Sequence, residues 1–149
     1  MKVGLVANPV SARDIRRVIA NAACMPIADR ANIVLRVMAS LGSCGVPTVL
    51  MMPENGGISR HLNHSLKHEK KLGHVDLPSL HYTDTPVNGS VEDTFAATQA
   101  MVQEGVDAII VLGGDGTHRA VAKYCGQVCI AGISTGTNNG FPEQRESTI

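Results

Sequence analysis

Between residues 113 and 117 the sequence reads Gly-Gly-Asp-Gly-Thr, directly after an apolar run at 107–112 and directly before a stretch with helical spacing. That placement suits an anion. At the carboxyl end of a parallel strand the chain must turn sharply, and glycines permit both positive φ and close approach of the backbone to a ligand. The N–H groups of the turn and of the next helix then point at whatever sits there, and the helix dipole favours negative charge. Thr117 adds a hydroxyl donor at the helix start. Asp115 is the odd member, because a carboxylate beside a phosphate is repelled unless it holds a metal ion or takes a proton from an attacking hydroxyl. The plainer reading is a turn with an N-capping Asp, since all these residue types favour turns. The flanking strand and helix favour the phosphate reading. The segment is not a Walker loop, which would need GxxxxGK[ST], and it lacks GxGxxG spacing. His118 and Arg119 follow at once, the first as a ligand contact or a partly exposed first-turn histidine, the second as a phosphate clamp.

The elements that must hold this loop are legible from periodicity. Residues 2–7 form a β-rich run stopped by Asn8-Pro9, and 15–23 has helical spacing with Arg13, Arg16 and Arg17 outward. A helix is expected at 28–41, closed by Gly42 and Gly45, and residues 47–52 read as a strand covered on both faces. Residues 58–72 are helical but polar, and 80–83 reads as a short edge strand. Ser90 and Asp93 have capping-box spacing for a helix reaching Glu104. A helix over 117–124 and a buried strand over 128–133 follow, then a second polar turn at 134–139. Strands alternating with helices predict an α/β fold with a doubly wound, Rossmann-like parallel sheet.

The bulk properties bound the function. The 149 residues suit one domain, with 44% hydrophobic and 17% charged residues. Lys plus Arg and Asp plus Glu both count 13, so no pull toward nucleic acid or anionic membrane is expected. Aromatics at 3% argue against platforms for stacking bases. No stretch is long enough for a membrane span, and the start does not read as a signal peptide. Cys24, Cys44, Cys125 and Cys129 lack CxxC spacing and read as reduced, mostly buried thiols of a cytoplasmic protein. His61, His64 and His68 share one helix face among lysines, which reads as a solvated surface rather than a metal site. The end of the chain completes no element, as expected of a fragment.

Residues 111–117 resemble the GGDGT motif shared by NAD kinases, diacylglycerol kinases and sphingosine kinases. Asn8-Pro9-Val10-Ser11, after the first strand, is similar to the NPxS loop of that superfamily. Ser134-Thr135-Gly136-Thr137-Asn138-Asn139-Gly140-Phe141-Pro142 is similar to its second glycine-asparagine loop. Within the superfamily the NPVSARDIRR start and STGTNNGFPE ending most resemble ATP-NAD kinase-like proteins of the acetoin-catabolism X type. The resemblance implies a fold of the NAD kinase N-terminal domain type over residues 1–149, with the family's β-rich C-terminal domain absent from this chain. It implies ATP and Mg²⁺ as cofactors and NAD as the phosphoryl acceptor. Gly113, Gly114, Gly116 and Thr117 would line the phosphates, and Asp115 matches the catalytic carboxylate. Asn8 and Ser11 would face the same crevice, and Thr137, Asn138 and Asn139 would complete the nucleotide pocket unless that turn bonds only its own backbone. No protein metal site is expected. A homo-oligomer is, since relatives are commonly oligomeric. A nucleotide-sensing domain without turnover and a lipid kinase relative are the competing readings.

Overall fold

The computed structural model describes residues 1–9, 25–72 and 76–135. In chain order the described elements are β1 (Lys2–Ala7), α1 (Ile27–Ser43), β2 (Thr48–Met51), α2 (Ile58–Leu72), β3 (Ser79–Tyr82), α3 (Val91–Gln103), β4 (Ala108–Gly113), α4 (Asp115–Tyr124) and β5 (Cys129–Ser134). The five strands form one sheet in the order β3-β2-β1-β4-β5, and every pairing is parallel. The helix expected at 15–23 lies outside the described residues.

Alternation along each strand divides the core in two, because successive side chains leave opposite faces of a sheet. Leu5, Ala7, Val49, Met51 and Leu112 meet Ala31, Val34 and Met38 of α1 and Ile58, Leu62 and Leu66 of α2. Val6, Leu50, Ile109 and Val111 meet Ala97 and Met101 of α3, Val121 of α4 and Cys125 just after it on the other face. An apolar run such as residues 108–112 is therefore covered on both sides, which is why it shows no polar alternation. The fold is the doubly wound α/β sheet that the sequence predicts. The polar stretch at 58–72 is the helix its pattern predicts, since Ile58, Leu62 and Leu66 at i, i+4 and i+8 are enough to bury one face.

Two expectations are corrected. Among the described residues β5 is not a buried strand: it pairs only with β4, and Cys129, Ile130, Ala131 and Gly132 are exposed. An apolar run marks β structure but does not distinguish a central strand from an edge. The three described thiols are free, but only Cys125 is buried, with Cys44 and Cys129 exposed, and Cys24 lies outside the described residues. Among the described residues no helix is long and apolar enough to cross a membrane.

Each helix here lies between consecutive parallel strands, so its N-terminus sits at the carboxyl edge of the sheet. The start of α3 is fixed by the capping box expected from sequence: Asp93 accepts from the backbone N–H of Ser90 at 3.3 Å, Gly89 at 2.7 Å and Asn88 at 3.0 Å. Burial raises the Asp93 pKa and is the largest single effect, but these N–H groups and the Asn88 side chain together hold it below the usual range. Asp93→Ala is expected to cost about 1–2 kcal/mol, measured by urea denaturation at neutral pH. The folded pKa is depressed, so this contribution is present above the ordinary aspartate range. It is lost as pH falls through the lower folded value, and the variant's deficit should shrink in step.

Candidate functional site

The order of the strands places the crevice. From β1 the chain goes to β2 on one side, and β4 lies on the other, so the connections diverge between β1 and β4. Ligands of open α/β sheets bind at the carboxyl ends of the strands at such a point. Ala7 pairs with Leu112, which brings Asn8-Pro9 and Gly113-Gly114 side by side. The third loop leaves the same edge, and the Thr135 N–H approaches the Gly113 carbonyl at 3.5 Å. Ser11, Thr137, Asn138 and Asn139 lie outside the described residues.

The glycine segment is less a loop than a helix start. Gly113 ends β4, Gly114 is the N-cap of α4, and Asp115, Gly116 and Thr117 form its first turn. This corrects the expected helix start at 117. An acidic residue is favoured in a first turn by the helix dipole, so the helix extends back to Asp115. The loop glycines do not serve a left-handed backbone either: Gly114 has φ −89°, and neither Gly113 nor Gly116 is among the positive-φ glycines. Gly113 serves close approach. A Cβ on Gly113 would stand 2.6 Å from the Thr117 Oγ1, while a Cβ on Gly116 would meet nothing within 4 Å. The hydroxyl of buried Thr117 is thus packed against the end of β4.

Two neighbouring helix starts are already occupied by the chain's own acids. Asp93 caps α3, and Glu54 accepts from Gly57 N–H at 2.9 Å and Ser59 N–H at 2.6 Å at the start of α2. At α4 the N-cap is Gly114, which has no side chain to fill that place. The glycine cap leaves room for an outside anion beside the crevice.

The Asn-Pro loop is braced from both sides. Asn8 is buried, and its amide nitrogen donates to Thr94 Oγ1 at 2.9 Å and to the Ser90 carbonyl at 3.4 Å. That amide ties β1 to the first turn of α3. Pro9 packs against Gly56, where a Cβ would come within 2.5 Å of the proline ring, and its carbonyl accepts from Arg30 Nη1 at 3.2 Å. Arg30 is only 4% exposed, and sequence reading passed over it. The signal was available: positions 27, 30, 31, 34 and 38 are one helical stripe, and Arg30 is the one charge in it. Asn8→Leu removes the donor from a buried pair and is expected to destabilise by about 1–3 kcal/mol. The denaturation midpoint measures this, and a loss below about 0.5 kcal/mol would show that the bond to α3 is not what holds the loop.

His118 is buried, with Nδ1 2.9 Å from the Gly114 carbonyl, rather than partly exposed. Arg119 is exposed. His61, His64 and His68 are also exposed, as expected of a solvated face, and no metal-holding cluster occurs among the described residues. A cavity of about 330 Å³ lies along α2 and β3, lined by Asn63, Leu66, Lys67, Pro78 and Leu80. It includes none of the loop residues.

The family model described as ATP-NAD kinase N-terminal domain matches residues 3–149. The chain is 57% identical over 147 residues to the acetoin catabolism protein X of Cupriavidus necator, a match covering 99% of this chain and 41% of that protein. The chain therefore spans about two fifths of the length of this curated relative. No solved structure gives a significant match.

Proposed function

This chain belongs to the ATP-NAD kinase family through its N-terminal domain, and from that premise we propose that it is the nucleotide-binding part of a phosphotransferase acting from ATP on a hydroxyl of a small acceptor, NAD foremost. The observation that carries the reading is the start of α4. A glycine-capped helix opens at the carboxyl end of β4, where the connections of the sheet diverge, with Asp115 in its first turn.

In this reading the glycine segment receives the phosphate chain and its backbone donors stabilise the charge there. The acceptor oxygen attacks the γ-phosphorus, the bond from that phosphorus to the β–γ bridging oxygen breaks, and ADP leaves. Asp115 takes the proton of the attacking hydroxyl. Mg²⁺ fits this donor set as the metal of Mg-ATP, since it binds through phosphates, waters and one or two carboxylates. The ion would be held through the phosphates and water, and would supply charge neutralisation there. Ser11, Thr137, Asn138 and Asn139 would close the pocket around the nucleotide. The similarity to acetoin catabolism protein X makes acetoin catabolism the cellular setting of the proposal.

The test is phosphate transfer from Mg-ATP to NAD, measured on this chain and on the longest protein that carries it. NADP formed by the longer protein supports the kinase reading. Mg-ATP binding by calorimetry without transfer to NAD from either would reject NAD as acceptor and favour a nucleotide sensor or another substrate. Transfer only to lipid in vesicles would favour the lipid kinase reading.

A further inference from the structure

Gly113 and Gly114 leave the peptide that enters α4 weakly determined. Without a Cβ on Gly114, rotation of the Gly114–Asp115 peptide meets little steric resistance. Its orientation decides the chemistry of the site. A trans peptide carries its C=O and N–H on opposite sides, so the two orientations present either a donor or a carbonyl oxygen to the crevice. Only the first attracts a phosphate.

The Gly114 carbonyl is held by three donors. The backbone N–H of Thr117 reaches it at 3.0 Å and that of His118 at 3.2 Å, and the His118 Nδ1 stands at 2.9 Å. A carbonyl can only accept, so Nδ1 carries the hydrogen. In the neutral ring Nε2 is then a bare acceptor, and it is buried with no partner among the described residues. The side chain as a whole is 9% exposed. An apolar residue of similar size would fill this place without the cost of an orphaned acceptor. Among the described residues, what the imidazole adds is the one bond to Gly114.

We propose that His118 is a positioning residue of the phosphate site: its Nδ1–H locks the Gly114 carbonyl into the first turn of α4, which turns the donor side of that turn toward the crevice. The inference rests on the phosphate-binding reading of the glycine segment and identifies the side chain that sets its polarity. His118 lies beyond the last residue of the Gly-Gly-Asp-Gly-Thr segment and acts through the backbone rather than by touching the reacting atoms.

The experiment uses the full 149-residue chain, with Mg-ATP and inorganic pyrophosphate as probes in calorimetry. His118→Phe keeps the volume and removes the donor, and His118→Gln keeps an N–H able to reach a carbonyl four residues back. The Phe variant is expected to bind both probes about tenfold more weakly, the size of one lost hydrogen bond at a charged ligand, and the Gln variant to recover much of that loss. Long-range proton–nitrogen spectra of the wild-type histidines should show His118 protonated at Nδ1. A ring protonated at Nε2 alone overturns the proposal whatever the affinities, and so does a Phe variant that binds as the wild type does. Should the Phe variant fail to fold, the tautomer and the Gln variant decide: Gln binding no better than a chain denied nucleotide contact overturns the proposal. A wild-type chain that binds neither probe sinks the phosphate-site reading itself, and this inference with it, even if the tautomer is as expected.

Discussion

Asp115→Asn is expected to lower phosphoryl transfer by the longest protein carrying this chain about 10³-fold, within the range for loss of a general base. Mg-ATP should bind as tightly as before, or more tightly. The two side chains have the same shape, so the first turn of α4 is not disturbed. What changes is charge and basicity. An amide cannot take the proton of the attacking hydroxyl, whereas removing a negative charge beside a polyphosphate relieves repulsion. Asp115 is the first residue of α4, directly after the Gly114 cap, where the helix dipole favours negative charge. Single-turnover transfer and calorimetric binding, run on the same preparation, separate the effects. Transfer within tenfold of wild type would reduce Asp115 to a turn-forming residue, the plainer reading its type and place also allow. Loss of binding together with transfer would mean that it holds the nucleotide through the metal rather than serving as the base.

The frame around that residue was legible because burial on both faces leaves a simple signature. Residues 2–7 and 107–112 have no polar alternation, and they are β1 and β4, at the centre of the sheet. Ser90 and Asp93 were readable for a local reason, since a capping box depends on spacing along one turn and on little else. Features set by distant neighbours were not readable. Nothing local distinguishes the apolar run of β5 from that of β4, yet one is an edge and the other is enclosed. Glycine at 113 and 114 suggested a left-handed turn, but the backbone there is ordinary. The reason for Gly113 lies four residues on, in the packing of Thr117. Asn8 followed the same pattern: its type and place marked it as a crevice residue, while its amide nitrogen is committed to Thr94 and Ser90 across the fold. Arg30 lay in phase with a buried stripe and was hidden because charge in a helix is ordinarily read as surface.

Gly116→Ala and Gly113→Ala are expected to separate binding from folding, and together they place the phosphate chain. At Gly116 an added Cβ meets no atom within 4 Å, and the residue is exposed in the first turn of α4. Among the described residues nothing in the packing requires glycine there, and Ala, the better helix former, should leave stability unchanged or raise it by up to about 1 kcal/mol. If phosphate approaches this backbone, the methyl stands in its way. A misfit of about 1–3 kcal/mol then appears as roughly a ten- to hundredfold loss of Mg-ATP affinity in a protein at least as stable as the wild type. At Gly113 the order is reversed. The new Cβ would lie 2.6 Å from Thr117 Oγ1 and 2.7 Å from Thr117 Cβ, and Thr117 is buried and β-branched, with little freedom to yield. That variant should lose about 1–3 kcal/mol of stability, and affinity should fall with it as α4 shifts away from β4. Thermal midpoints without nucleotide and Mg-ATP titrations on both variants are sufficient. A Gly116→Ala protein that is stable and binds Mg-ATP as the wild type does would show that the phosphates do not rest against the first turn of α4, and the proposed site would have to be sought elsewhere along the carboxyl edge.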